Sequence, residues 1–121
     1  MDSAFYTALS AQTGTTKVYP VLAPDNANAP FVVYQRTGTR RDAAVDGLTG
    51  LAVVDYRIDV YATSLKAAQT IADNIAVGLN AYSASPINCI RIENEFDASD
   101  LSGDPKLFRV IVEVAAHFTS A

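Results

Sequence analysis

The sequence has one cysteine, one methionine, one histidine and no tryptophan among its 121 residues. A single cysteine, Cys89, excludes an intrachain disulfide and fits a reducing compartment. A single histidine, His117, leaves no zinc site built from Cys and His alone. Basic residues are also scarce, with nine Lys and Arg against 13 Asp and Glu and a formal charge of -4. That is the wrong sign for a chain that gains affinity by releasing counterions from phosphate, so specific nucleic-acid binding is not expected. No apolar run approaches the ~20 residues of a membrane span, and Asp2 sits where a signal peptide would carry its positive charge, so no membrane partner is expected. The uncharged run from Asn74 to Ile90 is interrupted by Gly78, Asn80, Ser83, Ser85 and Pro86. None of GxGxxG, the P-loop, GxSxG or HExxH occurs, so no cofactor is expected.

What is present is apolar material for one core. Half of the residues are hydrophobic and 18% are charged, far from the composition of chains that fail to collapse. A chain of this length matches one domain, residues 1–121, and buries about 65% of its unfolded surface without needing a metal or disulfide.

The segment order predicts an α+β fold. Asp2 or Ser3 caps a short helix carrying Phe5 and Leu9, with Gly14 as its stop. The strand-like KVYPVL contains Pro20, which cannot donate to a ladder and so places the segment at a sheet edge or in a bend. After the turn-rich APDNANAP, the unalternating FVVYQ from Phe31 reads as a strand covered on both faces, ended by Gly38. GTRRDAAVDGLTG, from Gly38 to Gly50, holds the turn pair Asp46-Gly47 and reads as a long hairpin tip. Val54, Tyr56, Ile58 and Val60 then alternate with Asp55, Arg57, Asp59 and Tyr61, a strand with one apolar and one polar face. Thr63 or Ser64 caps a helix whose apolar residues recur from Leu65 to Leu79. Gly78 inside it suggests close packing on a neighbour or fraying of the helix, the packing being the preferred reading. Ile87 to Phe96 forms a further strand, with Ile90, Ile92 and Phe96 on one face. An acidic loop follows from Asp97 to Lys106, and the last strand sets Phe108, Val110, Val112, Val114, Ala116 and Phe118 against Arg109, Glu113 and His117. Turn-linked strands are expected to pair antiparallel. The expected architecture is therefore α+β, a mainly antiparallel sheet of four to five strands with two helices packed on one face and a long β-hairpin tip.

Few residues offer chemistry. Cys89 and His117 fall inside strands, where Cys89 reads as a small buried or half-buried apolar group rather than a nucleophile. Glu93, Glu95 and Asp97 alternate, so an extended strand end would project three carboxylates to one side and could hold a divalent cation, although a solvated strand end is the simpler reading. Asp55, Arg57 and Asp59 suit charge pairing with Arg91, Glu93, Arg109 and Glu113 across an exposed sheet face. No catalytic, metal or cofactor-binding residue is assigned, and an enzyme is not expected.

One succession of segments is distinctive: VYP after the first helix, PFVVYQ after a turn bearing Pro and Asp, YRIDVYATSLKAAQTIADNI, then LFRVIVEVAAHF. From Phe5 to Phe118 it resembles the tail-completion or tail-terminator family of tailed bacteriophages and prophages, formerly a domain of unknown function. The most specific part is RIDVYATSLKAA, from Arg57 to Ala68, with Tyr61 where members often carry tryptophan.

The resemblance implies a structural virion protein, made in the host cytoplasm, that forms a six-fold ring on the head-proximal end of the tail tube. There it would end tube growth and meet the head connector. Its partners would be copies of itself, the major tail-tube protein and the head-completion or connector protein, with DNA passing through the ring. Alternatives are another head-tail joining or minor tail protein, or a small non-catalytic binding module. A ring needs two different patches on one subunit. The expected interface residues are Arg40, Arg41 and Asp42 on the tip, against Asp97, Asp100 and Asp104 on the acidic loop.

Overall fold

The computed structural model describes residues 2–13, 17–20, 29–44, 47–80, 82–83, 87–98 and 107–119. The elements are α1 (Asp2–Thr13), β1 (Lys17–Pro20), β2 (Phe31–Ala44), β3 (Gly47–Ala62), α2 (Leu65–Leu79), β4 (Ile87–Asp97) and β5 (Phe108–Thr119). The five strands form one sheet in the order β1-β2-β3-β5-β4. Both helices pack on one face of it, which gives the α+β architecture that the sequence pattern implies.

The alternation in β3 carries the core. Val54, Tyr56, Ile58 and Val60 are buried on the helix side, while Asp55 and Arg57 remain half-exposed on the other. Antiparallel pairing continues this division into β5, where Tyr56 faces Val114, Ile58 faces Val112 and Val60 faces Val110. α2 supplies the lid. The Ser64 side chain accepts a hydrogen bond from the Ala67 amide at 3.2 Å, satisfying one of the free donors at the helix start, and Ala68, Ala72, Ile75 and Leu79 descend on the sheet. Gly78 is a packing residue, as its position suggests: a Cβ built there would run into the side chain of Gln12 in α1. α1 already begins at Asp2, at one of the two positions expected as its cap, and Gly14 lies outside the described residues. Phe5, Ala8 and Leu9 form its buried stripe. The Phe5 ring stacks on Tyr56 with centroids 3.8 Å apart and an interplanar angle of 5°, and it tilts against Tyr34 at 5.8 Å. One aromatic side chain thus ties α1 to both β2 and β3.

Three expectations about strands require correction. β1 is an edge strand, but it pairs parallel to β2, with Lys17 beside Phe31 and Pro20 beside Tyr34. Its four residues span only about 13 Å. Most of the turn-rich stretch, residues 23–28, lies outside the described residues. Gly38 does not end β2. The register shifts between Arg36 and Gly38, Thr37 Oγ1 donates to the Asp55 carbonyl at 3.2 Å, and the strand continues to Ala44. A glycine in a strand marks a bulge here, not a terminus. The third correction is Phe96. A second shift, between Ile92 and Asn94, inverts the parity of β4, so Ile90 and Ile92 face the helices whereas Phe96 falls opposite Ile111 on the far side.

The hairpin of β2 and β3 outruns the sheet. β5 pairs with β3 from Leu51 to Ala62 only, so Arg41 is the last residue of β2 whose partner, Ala52, has β5 on its other side. Beyond that rung the hairpin continues to the pair Ala44 and Gly47, which makes it the long tip expected from the sequence. Residues 45–46, including half of the expected Asp46-Gly47 turn, lie outside the described residues.

Phe5→Ala is expected to destabilise the fold by about 3–5 kcal/mol, because it empties a fully buried stacked site. Tyr6→Ala, one residue on, removes a ring that is 42% exposed and should cost under about 1 kcal/mol. Urea unfolding of the two variants checks the contrast.

Candidate assembly surface

The sheet face turned away from the helices is where the chain places its polar side chains. At its centre Arg57 grips Asp59 through two parallel hydrogen bonds, Nε to Oδ1 at 2.9 Å and Nη2 to Oδ2 at 3.2 Å. The fork matches the carboxylate in shape as well as charge. Arg109 approaches from β5, its Nη1 3.8 Å from Asp59 Oδ2, while its Nε donates to the Ala98 carbonyl at 3.2 Å. Asp59 lies under the two guanidinium groups, its side chain 13% exposed. The Arg57 pKa is pushed up, first by the hydrogen bond to Asp59 and then by the charge of that carboxylate, so the arginine stays charged throughout the range in which the protein is handled.

An aromatic row borders this cluster. Tyr19 meets Phe31 edge-on at 6.2 Å, Phe31 stacks on Tyr61 at 4.9 Å, and the Arg109 guanidinium lies 6.0 Å from the Tyr61 ring centre, with Nη1 donating to the Tyr61 hydroxyl at 3.4 Å. The row runs across β1, β2, β3 and β5 at the end of the sheet opposite the hairpin tip. Ile111 and Ala115 on this face are buried. The described charges on this face are mixed, Lys17, Arg40, Arg57, Arg91 and Arg109 interspersed with Asp55, Asp59, Glu93 and Glu113. Among the described residues it carries no basic stripe for phosphate.

Arg40 lies where expected, exposed on the hairpin, and its Nη2 also pairs with Asp55 Oδ1 at 3.1 Å. A guanidinium has five N–H donors, so this contact leaves others for a partner. Arg41 and Asp42 follow in β2, but their side chains lie outside the described residues. Asp97 is exposed at the end of β4, and Asp100 and Asp104 lie outside the described residues. Within one subunit Arg40 and Asp97 stand apart, because Arg40 shares a row with Val53 and His117 near the tip while Asp97 shares one with Val110 at the far end.

The three alternating carboxylates do not share a side. The bulge after Ile92 leaves Glu93 on the polar face, where Arg91 Nη2 pairs with it at 3.2 Å, and turns Glu95 and Asp97 toward α2. There they line a cleft of about 270 Å³ with Gln69, Ala72, Asp73, Phe96 and Val110. Among the described residues no group of three Asp, Glu, His or Cys is close enough to hold a metal. Cys89, expected to be buried or half-buried, is exposed, because it sits on an edge strand just past a register shift. It lies directly across from His117. No hydrogen bond joins the two among the described residues, so the register supplies proximity without the relay an activated thiol uses.

The Asp59 cluster predicts a contrast in stability. Asp59→Ala leaves Arg57 and Arg109 facing each other over a half-buried site and should cost about 1–3 kcal/mol. Asp55→Ala breaks only the exposed pair with Arg40 and should cost under about 1 kcal/mol. Thermal and denaturant unfolding at low and high salt check both values.

Comparison with known proteins bears on this surface. A search of curated proteins gives no match. The fold is similar to that of a chain in a solved structure titled "Virion of native gene transfer agent (GTA) particle", with a TM-score of 0.72 at 17% identity over 99% of this chain and 95% of that one. Among the described residues no helix is long and apolar enough to cross a membrane. The family described as tail completion protein gp17 matches residues 3–119. The match runs from α1 to the end of β5, and the chain accordingly belongs to the tail completion protein gp17 family, the structural virion proteins that complete phage tails.

Proposed function

We propose that the protein forms a six-fold ring on the head-proximal end of the tail tube, stops tube growth there and presents the surface that meets the head connector. The observation that carries this reading is the family match across residues 3–119. The likeness to a chain of a gene transfer agent virion supports a place within a particle. In this reading the protein is made in the host cytoplasm and is non-enzymatic. Its partners are further copies of itself, the tail-tube protein and the head-completion protein, and DNA passes through the ring without specific contacts.

The surface supports a heterologous contact. The tip carries Arg40 and Arg41 beside Asp42, and the far end of the sheet leads into Asp97, Asp100 and Asp104. Since Arg40 and Asp97 stand at opposite ends and margins of the sheet, they do not meet within one subunit, and in this reading each contacts an oppositely charged group of a neighbour.

Deleting the gene should yield tails of irregular or excess length that lack heads, scored by electron microscopy. Headed tails of normal length would overturn the reading. The double change Arg40→Glu with Arg41→Glu should leave the circular dichroism spectrum and the melting temperature nearly unchanged, since Arg40 makes only an exposed pair. Charge reversal at a close interface costs several kcal/mol, so the same variant should fail to complete tails in an in vitro assay.

A further inference from the structure

We propose that neighbouring copies of this chain join by main-chain strand pairing, the outer edge of β4 in one copy taking up residues 35–44 of β2 in the next. This rests on the ring reading above and specifies its contact.

Among the described residues, two edges of the sheet have no neighbouring strand. β1 accompanies β2 only from Phe31 to Tyr34, and among the described residues no strand lies beside β2 from Gln35 to Ala44. β4 has β5 on one side and, among the described residues, no strand on the other. Rows of free N–H and C=O groups at such edges invite another strand. The two segments are nearly equal in length, Gln35–Ala44 against Ile87–Asp97. They also run in opposite directions, because β2, β3, β5 and β4 alternate across three antiparallel pairings. Repeating the subunit around an axis along the strands therefore sets them antiparallel. Within one sheet Gln35 stands in the row of Arg57, Glu113 and Asn94, so full overlap reaching Asp97 needs a stagger of about three residues. Closing a tilted sheet imposes a stagger of this kind.

Charge selects which edges meet. The β2 segment holds Arg36, Arg40 and Arg41 with Asp42, whereas β4 holds Glu93, Glu95 and Asp97 with Arg91. Two β4 edges, or two β2 edges, oppose like charges, while β4 against β2 joins unlike ones. Apolar exposure lies at the same margin. Val77 is 79% exposed beside half-buried Ile92 on the helix side of β4, and Phe96 is 41% exposed. A strand laid along β4 alternates its side chains over both faces and covers all three residues.

The test uses the exposed native Cys89 of β4. Cysteines are introduced one at a time at positions 35–44, and the protein is oxidised both free at high concentration and within tail particles. Adjacent strands bring Cα atoms about 4.5–5.5 Å apart, within disulfide reach. One or two positions should give a ladder of covalent oligomers that Cys89→Ser abolishes, nearest Ala44 for the full overlap. Hydrogen exchange is followed in parallel, with alternate amides of both 36–43 and 88–96 expected to slow by 10-fold or more on assembly. Rings in the electron microscope with both edges protected support the pairing. Rings in which either edge still exchanges freely overturn it and leave the ring reading standing. Absence of rings in solution and in tails overturns both.

Discussion

The period of two in β3 is the constraint on which the rest of the structure depends. Tyr56, Ile58 and Val60 must lie under the helices, and Asp55, Arg57 and Asp59 must lie opposite. A slip of one residue against β5 would drive Arg57 and Asp59 into the apolar layer and turn Tyr56 out to water. Register is thereby fixed through β2 and β5, and with it the place of every polar side chain on the far face. Phe5 adds the second fixed point. By stacking on Tyr56 it docks α1 over β3 and leaves α2 the remaining strip, above β3, β5 and the inner side of β4.

The two helices are too few to cover five strands. α2 spends its apolar stripe on β3 and β5 and reaches β4 only through a few residues, which leaves Ile92 half-buried and Val77 in water. The margins of the sheet and its polar face are consequently the surfaces from which an assembling protein can draw contacts. Asp59 is instructive here, since a carboxylate under two arginines and beside an aromatic row holds Arg57, Tyr61 and Arg109 in one arrangement before any partner arrives. A preorganised surface loses less entropy when it docks.

Much of this was legible in the residues. The polarity of β3 and β5 and the Ser64 cap of α2 follow from spacing and side-chain chemistry within single segments. The burial of Phe31 to Tyr34 on both faces follows from a run that does not alternate. What was not legible depends on relations between segments. The bulges at Thr37 and Glu93 exist only in the pairing of two strands, and each moves the residues after it to the other face, which is why Phe96, Glu95 and Asp97 were misassigned. The parallel pairing of β1 depends on where its neighbour begins, and the exposure of Cys89 depends on β4 being outermost. For the candidate interface, the tip arginines and the acids after β4 were visible as charge in the sequence. The separation of Arg40 from Asp97 to opposite ends of the sheet is a product of the topology.

On the proposed edge pairing, that separation bears on how readily free copies associate. Edge N–H and C=O groups are already hydrogen-bonded to water in the free subunit, so each strand-pairing bond adds only about 0.5–1.5 kcal/mol. One contact between two copies must also offset several kcal/mol of lost translational and rotational freedom, and few apolar side chains are exposed at the β4 margin to help. A pair of copies is therefore a weak species. In a closed ring every copy has two such contacts, and the last contact forms among parts already held together, at high effective concentration. The end of a tube with matching symmetry would provide the same advantage from the first copy onward. On the proposed ring reading, weak, sign-selective edges thus favour closure on a template over free association.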